Sequence, residues 1–262
     1  MKLTSLKNGA QNLLINCAEL SSGDSLLVIL EDPKLGWYKK DVADAIIAEA
    51  SKLGVTVKLV TVPGPTNKPD SDLTRKMEDY DCSIFFARIG DQDRFESNTC
   101  NSKRVMSYAR SAKSLASSFG TSHYKGLQEL KRCINSILMT AKVIDIRCPN
   151  GTSIETQNVK HGLDTPQDVT IRRFPVVVPA PVDASLTSGK VVLDNYLTPT
   201  GSKVYEPESL KISSPVEIYV HNGKIDRIIG DEDLVRSIKR HYVAVAAQFN
   251  LSWETVHSWH AG

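Results

Sequence analysis

Apolar positions in roughly the first 145 residues alternate between short unbroken runs and helically spaced sets. Asn12 to Ala18 carries helical spacing, and Gly23-Asp24 turns it into Ser25-Leu26-Leu27-Val28-Ile29-Leu30. A continuous run of that length predicts a strand covered on both faces. Lys39 to Leu53 is amphipathic at the helical period, and Gly54 stands where a helix C-cap glycine belongs. Val55 to Val62 reads as the next strand, Pro63 to Pro69 as a loop, and Cys82 to Ala87 as a third buried strand after a short helix. Tyr124 to Met139 predicts a helix and Lys142 to Arg147 a strand. This rhythm predicts a parallel, Rossmann-like sheet.

Beyond residue 148 the pattern changes to short strands divided by turns. Gly151 to Glu155, Val169 to Arg173, Lys190 to Asp194 and Val216 to Val220 are the clearest. His221-Asn222-Gly223-Lys224 places Asn-Gly between two apolar-periodic runs, a strong local hairpin signal. Asp231 to Phe249 predicts a long helix, with Asp231, Glu232 and Asp233 in its first turn, where they suit the helix dipole. The expectation is therefore an α/β chain. Residues 1–148 form a Rossmann-like parallel-sheet domain, and residues 149–262 a smaller β-rich α+β domain with a long helix.

Composition narrows the class of partner. Lys and Arg number 32 against 30 Asp and Glu, a net charge of +2 that argues against nucleic acid as the main partner. There is no run of about 18 apolar residues and no apolar core after Met1-Lys2-Leu3. Neither a membrane span nor a signal peptide is expected. The five cysteines, Cys17, Cys82, Cys100, Cys133 and Cys148, are scattered and odd in number. That distribution fits a reducing compartment, the cytoplasm, and neither a disulfide framework nor a cysteine zinc site. Cys82 reads as a small core hydrophobe.

Several segments, taken in order, resemble a known metalloenzyme group. They are Ser122-His123-Tyr124-Lys125-Gly126-Leu127, Ala141 to Ile146, Gly151-Thr152-Ser153-Ile154, Phe174-Pro175 leading to Pro179-Ala180-Pro181, Gly189-Lys190-Val191-Val192, Asn222-Gly223-Lys224-Ile225 and Trp259-His260-Ala261-Gly262. The group comprises the 2,5-dihydroxypyridine dioxygenases and the M29-type aminopeptidases. The aminopeptidase branch has a metal-binding Glu after its Phe-Pro element, where this chain has Val176-Val177-Val178. In the dioxygenase branch the His-Ala-Gly element supplies one iron ligand, matched here by His260, and further His and Asp ligands follow it. The resemblance thus implies a truncated, degenerate metal site. It also extends to the peptide-binding proteins of crocagin biosynthesis, a ribosomal-peptide pathway. It implies a homodimer that presents a precursor peptide to modifying enzymes.

Candidate chemistry is sparse. His257 and His260 face a common point if the tail is helical, but two imidazoles alone read more simply as surface or packing groups. No metal and no other cofactor is expected. The turn Glu31 to Gly36 after the first strand lacks a phosphate-binding glycine pattern, and no Gly-x-Ser-x-Gly elbow exists. Arg88 to Arg94 follows the third strand, where open α/β sheets bind ligands, so Arg88 and Arg94 are candidates for gripping a peptide's charged groups. A solvated turn is the competing reading. Arg172-Arg173-Phe174, flanked by Pro175, Pro179 and Pro181, suits an edge strand able to accept another chain. Trp259 is a candidate anchor in the tail. Lys103, Arg104, Arg110 and Lys113, with Tyr108 among them, read as a solvated face, and His123 and His161 as ordinary polar positions. The leading expectation is a non-catalytic peptide-binding protein. The alternative is a metal-dependent dioxygenase or aminopeptidase completed by a partner or by further sequence.

Overall fold

The unbroken apolar run after Gly23 becomes β1 (Ser25–Glu31), central in a five-stranded parallel sheet, sheet A. The computed structural model describes residues 3–68, 70–92, 94, 102–157, 169–199, 201 and 203–260. Sheet A also holds β2 (Thr56–Val62), β3 (Cys82–Phe86), β4 (Lys103–Ser107) and β7 (Arg172–Phe174), in the order β2-β1-β3-β4-β7. Every pairing within it is parallel. Leu26 to Leu30 and all of β3 are buried, as runs without alternation require.

Helices supply the second layer. α1 (Leu3–Gln11) runs into a π-helical turn at Asn12–Cys17, where simple helical spacing was expected. α2 (Lys40–Lys52) buries Val42, Ala43, Ile46 and Ala50 and ends at Leu53, with Gly54 at φ +78°. α3 (Ser71–Glu78) is capped by the Asp70 carboxylate, which accepts from the Asp72 and Leu73 amides. Short helices α4 (Ala112–Leu115) and α5 (Ser118–Thr121) precede α6 (Tyr124–Thr140).

The second, antiparallel sheet, sheet B, has the order β11-β10-β9-β6-β5. Its strands are β5 (Val143–Arg147), β6 (Ser153–Gln157), β9 (Thr187–Leu197), β10 (Leu210–His221) and β11 (Lys224–Ile229). The β10–β11 hairpin closes on Asn222 and Gly223, both at positive φ, as a two-residue primed turn needs. Val216, Ile218 and Val220 alternate inward with Leu234 and Ile238 of α7 (Glu232–Gln248). Asp231 caps α7 by accepting from the Leu234 amide. A two-stranded ribbon pairs β8 (Val182–Asp183) with β12 (Ser258–Trp259).

These elements fall into two units, which the chain visits more than once. The first is Met1–Arg132, Asp168–Val177 and Gly201–Lys203; the second is Cys133–Gln167, Val178–Thr200 and Val204–Gly262. Further expectations change. The strand Lys142 to Arg147, expected in the parallel-sheet domain, is β5 of antiparallel sheet B, because it pairs with β6. The segment ending at Arg173 belongs to sheet A rather than to the β-rich part, because β7 pairs with β4. The tail is extended rather than helical, because Ser258 and Trp259 pair with Asp183 and Val182. Among the described residues no helix is long and apolar enough to cross a membrane.

Candidate functional site at the carboxyl ends of sheet A

From β1 the chain passes to β2 on one side of it, and later to β3 on the other, so a crevice opens where the carboxyl ends of β1 and β3 diverge. Glu31, the last residue of β1, sits there fully buried. Arg88, just past β3, saturates it: the backbone amide donates to Oε2 at 2.9 Å, Nε to Oε1 at 3.0 Å and Nη2 to Oε1 at 2.8 Å. Both of its oxygens are thus engaged by one arginine.

The Arg88 guanidinium also lies over the Trp37 ring, 4.2 Å from its centroid, and Arg110 lies 4.6 Å from the same centroid. Arg110 Nε donates to the Trp37 carbonyl at 2.8 Å, which fixes the second cation. Trp37 is brought to this end of the sheet by a short turn. Asp32 accepts from the Lys34 amide, and Gly36 reverses the chain at φ +78°. Next to Trp37, Tyr38 donates to the Ser107 carbonyl at 3.0 Å, and burial raises its pKa.

A second cluster follows β4. Tyr108 donates to Asp91 Oδ1 at 2.8 Å, and Arg94 Nη1 lies 3.7 Å from the same oxygen. Burial, then the Asp91 charge, pushes the Tyr108 phenol above its ordinary range, while Arg173 and Arg94 pull it down. Gln92 donates to the Thr66 carbonyl at 2.6 Å and ties this loop to the one after β2. Indole, phenol and guanidinium groups thus cover the sheet's carboxyl end. This equipment suits gripping an anionic, partly apolar ligand.

Of the residues singled out from sequence, Arg88 and Arg94 lie here, and Arg173 lies close enough to Tyr108 to act on its acidity. Arg172 does not join them. Strand alternation turns it to the opposite face of sheet A, where it donates to the Cys17 carbonyl and pairs with Glu19 at 2.8 Å. Phe174 is fully buried beside Tyr124, with ring centroids 6.3 Å apart, so it serves the core and offers no surface to a ligand. Asp93 and His161 lie outside the described residues.

Trp259 belongs to the second unit, where its Nε1 donates to Thr156 Oγ1 at 3.0 Å and Thr156 shares a hydrogen bond with Thr187. The two tail histidines do not converge. Ser258 and Trp259 between them are extended, so the helical turn that would have brought the histidines to one point is absent. The His257 carbonyl accepts from the Ala184 amide, and His260 Nδ1 donates to the Pro179 carbonyl at 3.1 Å. Among the described residues no three His, Cys, Asp or Glu side chains are placed to share a metal ion, so the residues described do not fit a metal centre.

Sequence reading missed Trp37, the buried role of Glu31, and the parts played by Tyr108 and Arg110. One signal was available: a carboxylate ending an otherwise apolar strand requires a cation beside it.

No family model matches the sequence, and no curated protein matches it. Among solved structures, the 2,5-dihydroxypyridine dioxygenase of Pseudomonas putida KT2440 is similar with a TM-score of 0.59, over 93% of this chain and 73% of that one, at 13% identity. AmpT of Thermus thermophilus is similar with a TM-score of 0.49, over 92% of this chain and 74% of that one, at 10% identity. The first likeness establishes a shared fold.

Proposed function

We propose that this chain binds a peptide without transforming it, on a scaffold shared with the dioxygenase. The observation that carries this reading is the stack of Arg88 and Arg110 on Trp37 at the carboxyl ends of the parallel strands. It offers an aromatic surface flanked by two cations, while the buried carboxylate beside it is already saturated. β7 ends sheet A, and its outer backbone groups provide an edge for an extended segment. In the finer form of the proposal, the ligand is a ribosomal precursor peptide presented to modifying enzymes by a cytoplasmic homodimer.

Calorimetric titration with the peptides encoded beside the gene tests this. Binding should be weakened about ten-fold or more by Trp37→Ala combined with Arg110→Gln, since stacked and charge-assisted contacts are lost together. Lack of affinity for every such peptide overturns it.

The shared fold favours one second reading, a metal-dependent ring-cleaving dioxygenase or a peptidase. Metal stoichiometry after anaerobic loading with iron(II), zinc or manganese separates the two. Near-stoichiometric metal that His260→Ala abolishes supports the enzyme, and no retained metal supports the binder.

A further inference from the structure

Sheet A carries two half-buried arginines, Arg104 and Arg173, whose shielded Nε atoms find no hydrogen-bond partner among the described residues. In parallel register Ser83 stands beside Arg104, and Met106 beside Arg173. Because Arg104 and Met106 share a strand face, Ser83, Arg104, Met106 and Arg173 all project from the same side of the sheet. Ser83 Oγ, Arg104 Nε and Arg173 Nε are each shielded from solvent and without a hydrogen-bond partner among the described residues. The neighbouring Arg88 and Arg172 differ: Arg88 is paired with Glu31 and Arg172 with Glu19. Asp91 already serves both Arg94 and the Tyr108 hydroxyl.

An arginine keeps its proton at any ordinary pH, so a shielded Nε–H remains a donor that needs an acceptor. Shielded polar groups are nearly always satisfied by something. Nε together with one Nη forms the donor edge that meets two oxygens of one acid, and a serine hydroxyl supplies a further donor. The Arg88–Asp91 turn closes over the adjoining part of this face so tightly that a Cβ on Gly90 would stand 2.7 Å from Phe85 Cβ and 2.8 Å from Met106 Sδ.

We infer that Arg104, Arg173 and Ser83 form an oxyanion site on this face of sheet A, which takes a carboxylate or a phosphate group. The site uses neither Trp37 nor Arg88 nor Arg110, and it does not depend on the chain binding a peptide.

The full chain in a low-salt buffer without carboxylates or phosphate is titrated with inorganic phosphate, with acetate, and with potassium chloride at matched ionic strength. Heat of binding and thermal unfolding are both followed. Phosphate or acetate should bind saturably and raise Tm beyond the chloride control. Phosphate alone identifies a phosphate site, and acetate acting equally well identifies a carboxylate site. Arg104→Gln and Arg173→Gln should each weaken the anion about ten-fold or more. Without anion, each should leave Tm unchanged or raise it, since a shielded donor without a partner is removed. Arg173→Lys retains the charge and loses the fork, so it should fold and bind more weakly. No effect beyond chloride, or undiminished binding in both glutamine variants, overturns the site. A Tm that falls in both variants without anion also overturns it, because the guanidiniums would then have partners of their own. None of these measurements uses a peptide, so failure of the peptide reading is recorded separately.

Discussion

Sheet A and sheet B are each five-stranded, yet they gather chemistry in different ways. In sheet A all strands point one way, so the residues that follow β1, β3 and β4 emerge at one end. Glu31 meets Arg88 there, and Tyr108 meets Asp91, although the partners are distant in sequence. In sheet B the strands alternate in direction, and polar residues are spread over one face. Lys190 pairs with Glu217 at 2.6 Å, Tyr219 donates to the same carboxylate, and Arg227 lies over the Tyr219 ring. That network is solvated, and such pairs contribute little. Parallel topology concentrates functional groups, whereas antiparallel topology distributes them.

Substitutions can break this contrast from either side. The largest effect is expected in sheet A, where Phe174→Ala empties a fully buried site. A loss of about 3–5 kcal/mol in urea unfolding should follow, with weakened docking of β7. In sheet B the sensitive point is backbone approach. Gly189 has φ +132°, and a Cβ there would stand 2.3 Å from the Ser153 carbonyl oxygen. Gly189→Ala should cost about 1–3 kcal/mol and disturb the β6–β9 pairing seen by amide exchange. Asp231→Ala removes the α7 cap and should cost about 1 kcal/mol, confined to the second unit.

The two units also part in their response to alkali, an effect absent at neutral pH. Burial pushes the Cys17 and Cys82 thiols up to about 12. Unfolded thiols ionise near 9, so the folded chain holds extra protons between the two values. The stabilisation is complete below about pH 9 and is lost as pH rises toward 12. Thiol titration at pH 8 should find Cys133 and Cys148 reactive and Cys17 and Cys82 protected. Modification of Cys17 and Cys82 at the same rate as Cys133 and Cys148 would remove this distinction between the units.

What the sequence revealed follows the range of the interactions involved. β1, β3 and the Asn222-Gly223 hairpin are set by neighbours within a few residues, and they were legible. β4 begins Lys103-Arg104, which reads as a solvated face until Lys103 and Arg104 are seen turned to opposite sides of a strand. β7 is only three residues long, two of them arginine, and its place comes from pairing with distant β4. The tail histidines carry helical spacing, but extended pairing with Val182 and Asp183 overrides it. At the candidate site, Arg88 and Arg94 followed from their position after a parallel strand. Trp37 did not, because it lies on a turn with no periodicity around it.

The discontinuous make-up of the first unit bears on how it is completed during synthesis. β4 leaves the ribosome at Ser107 and its partner strand ends at Phe174, 67 residues later by subtraction, an interval of roughly 3–13 s at ordinary elongation rates. Through that interval the flank of β4 is an open seam, and Phe174 has yet to arrive in the core. A fragment cut at residue 148 would keep the seam open permanently. It should expose apolar surface to fluorescent dyes and to chaperones that the complete chain hides.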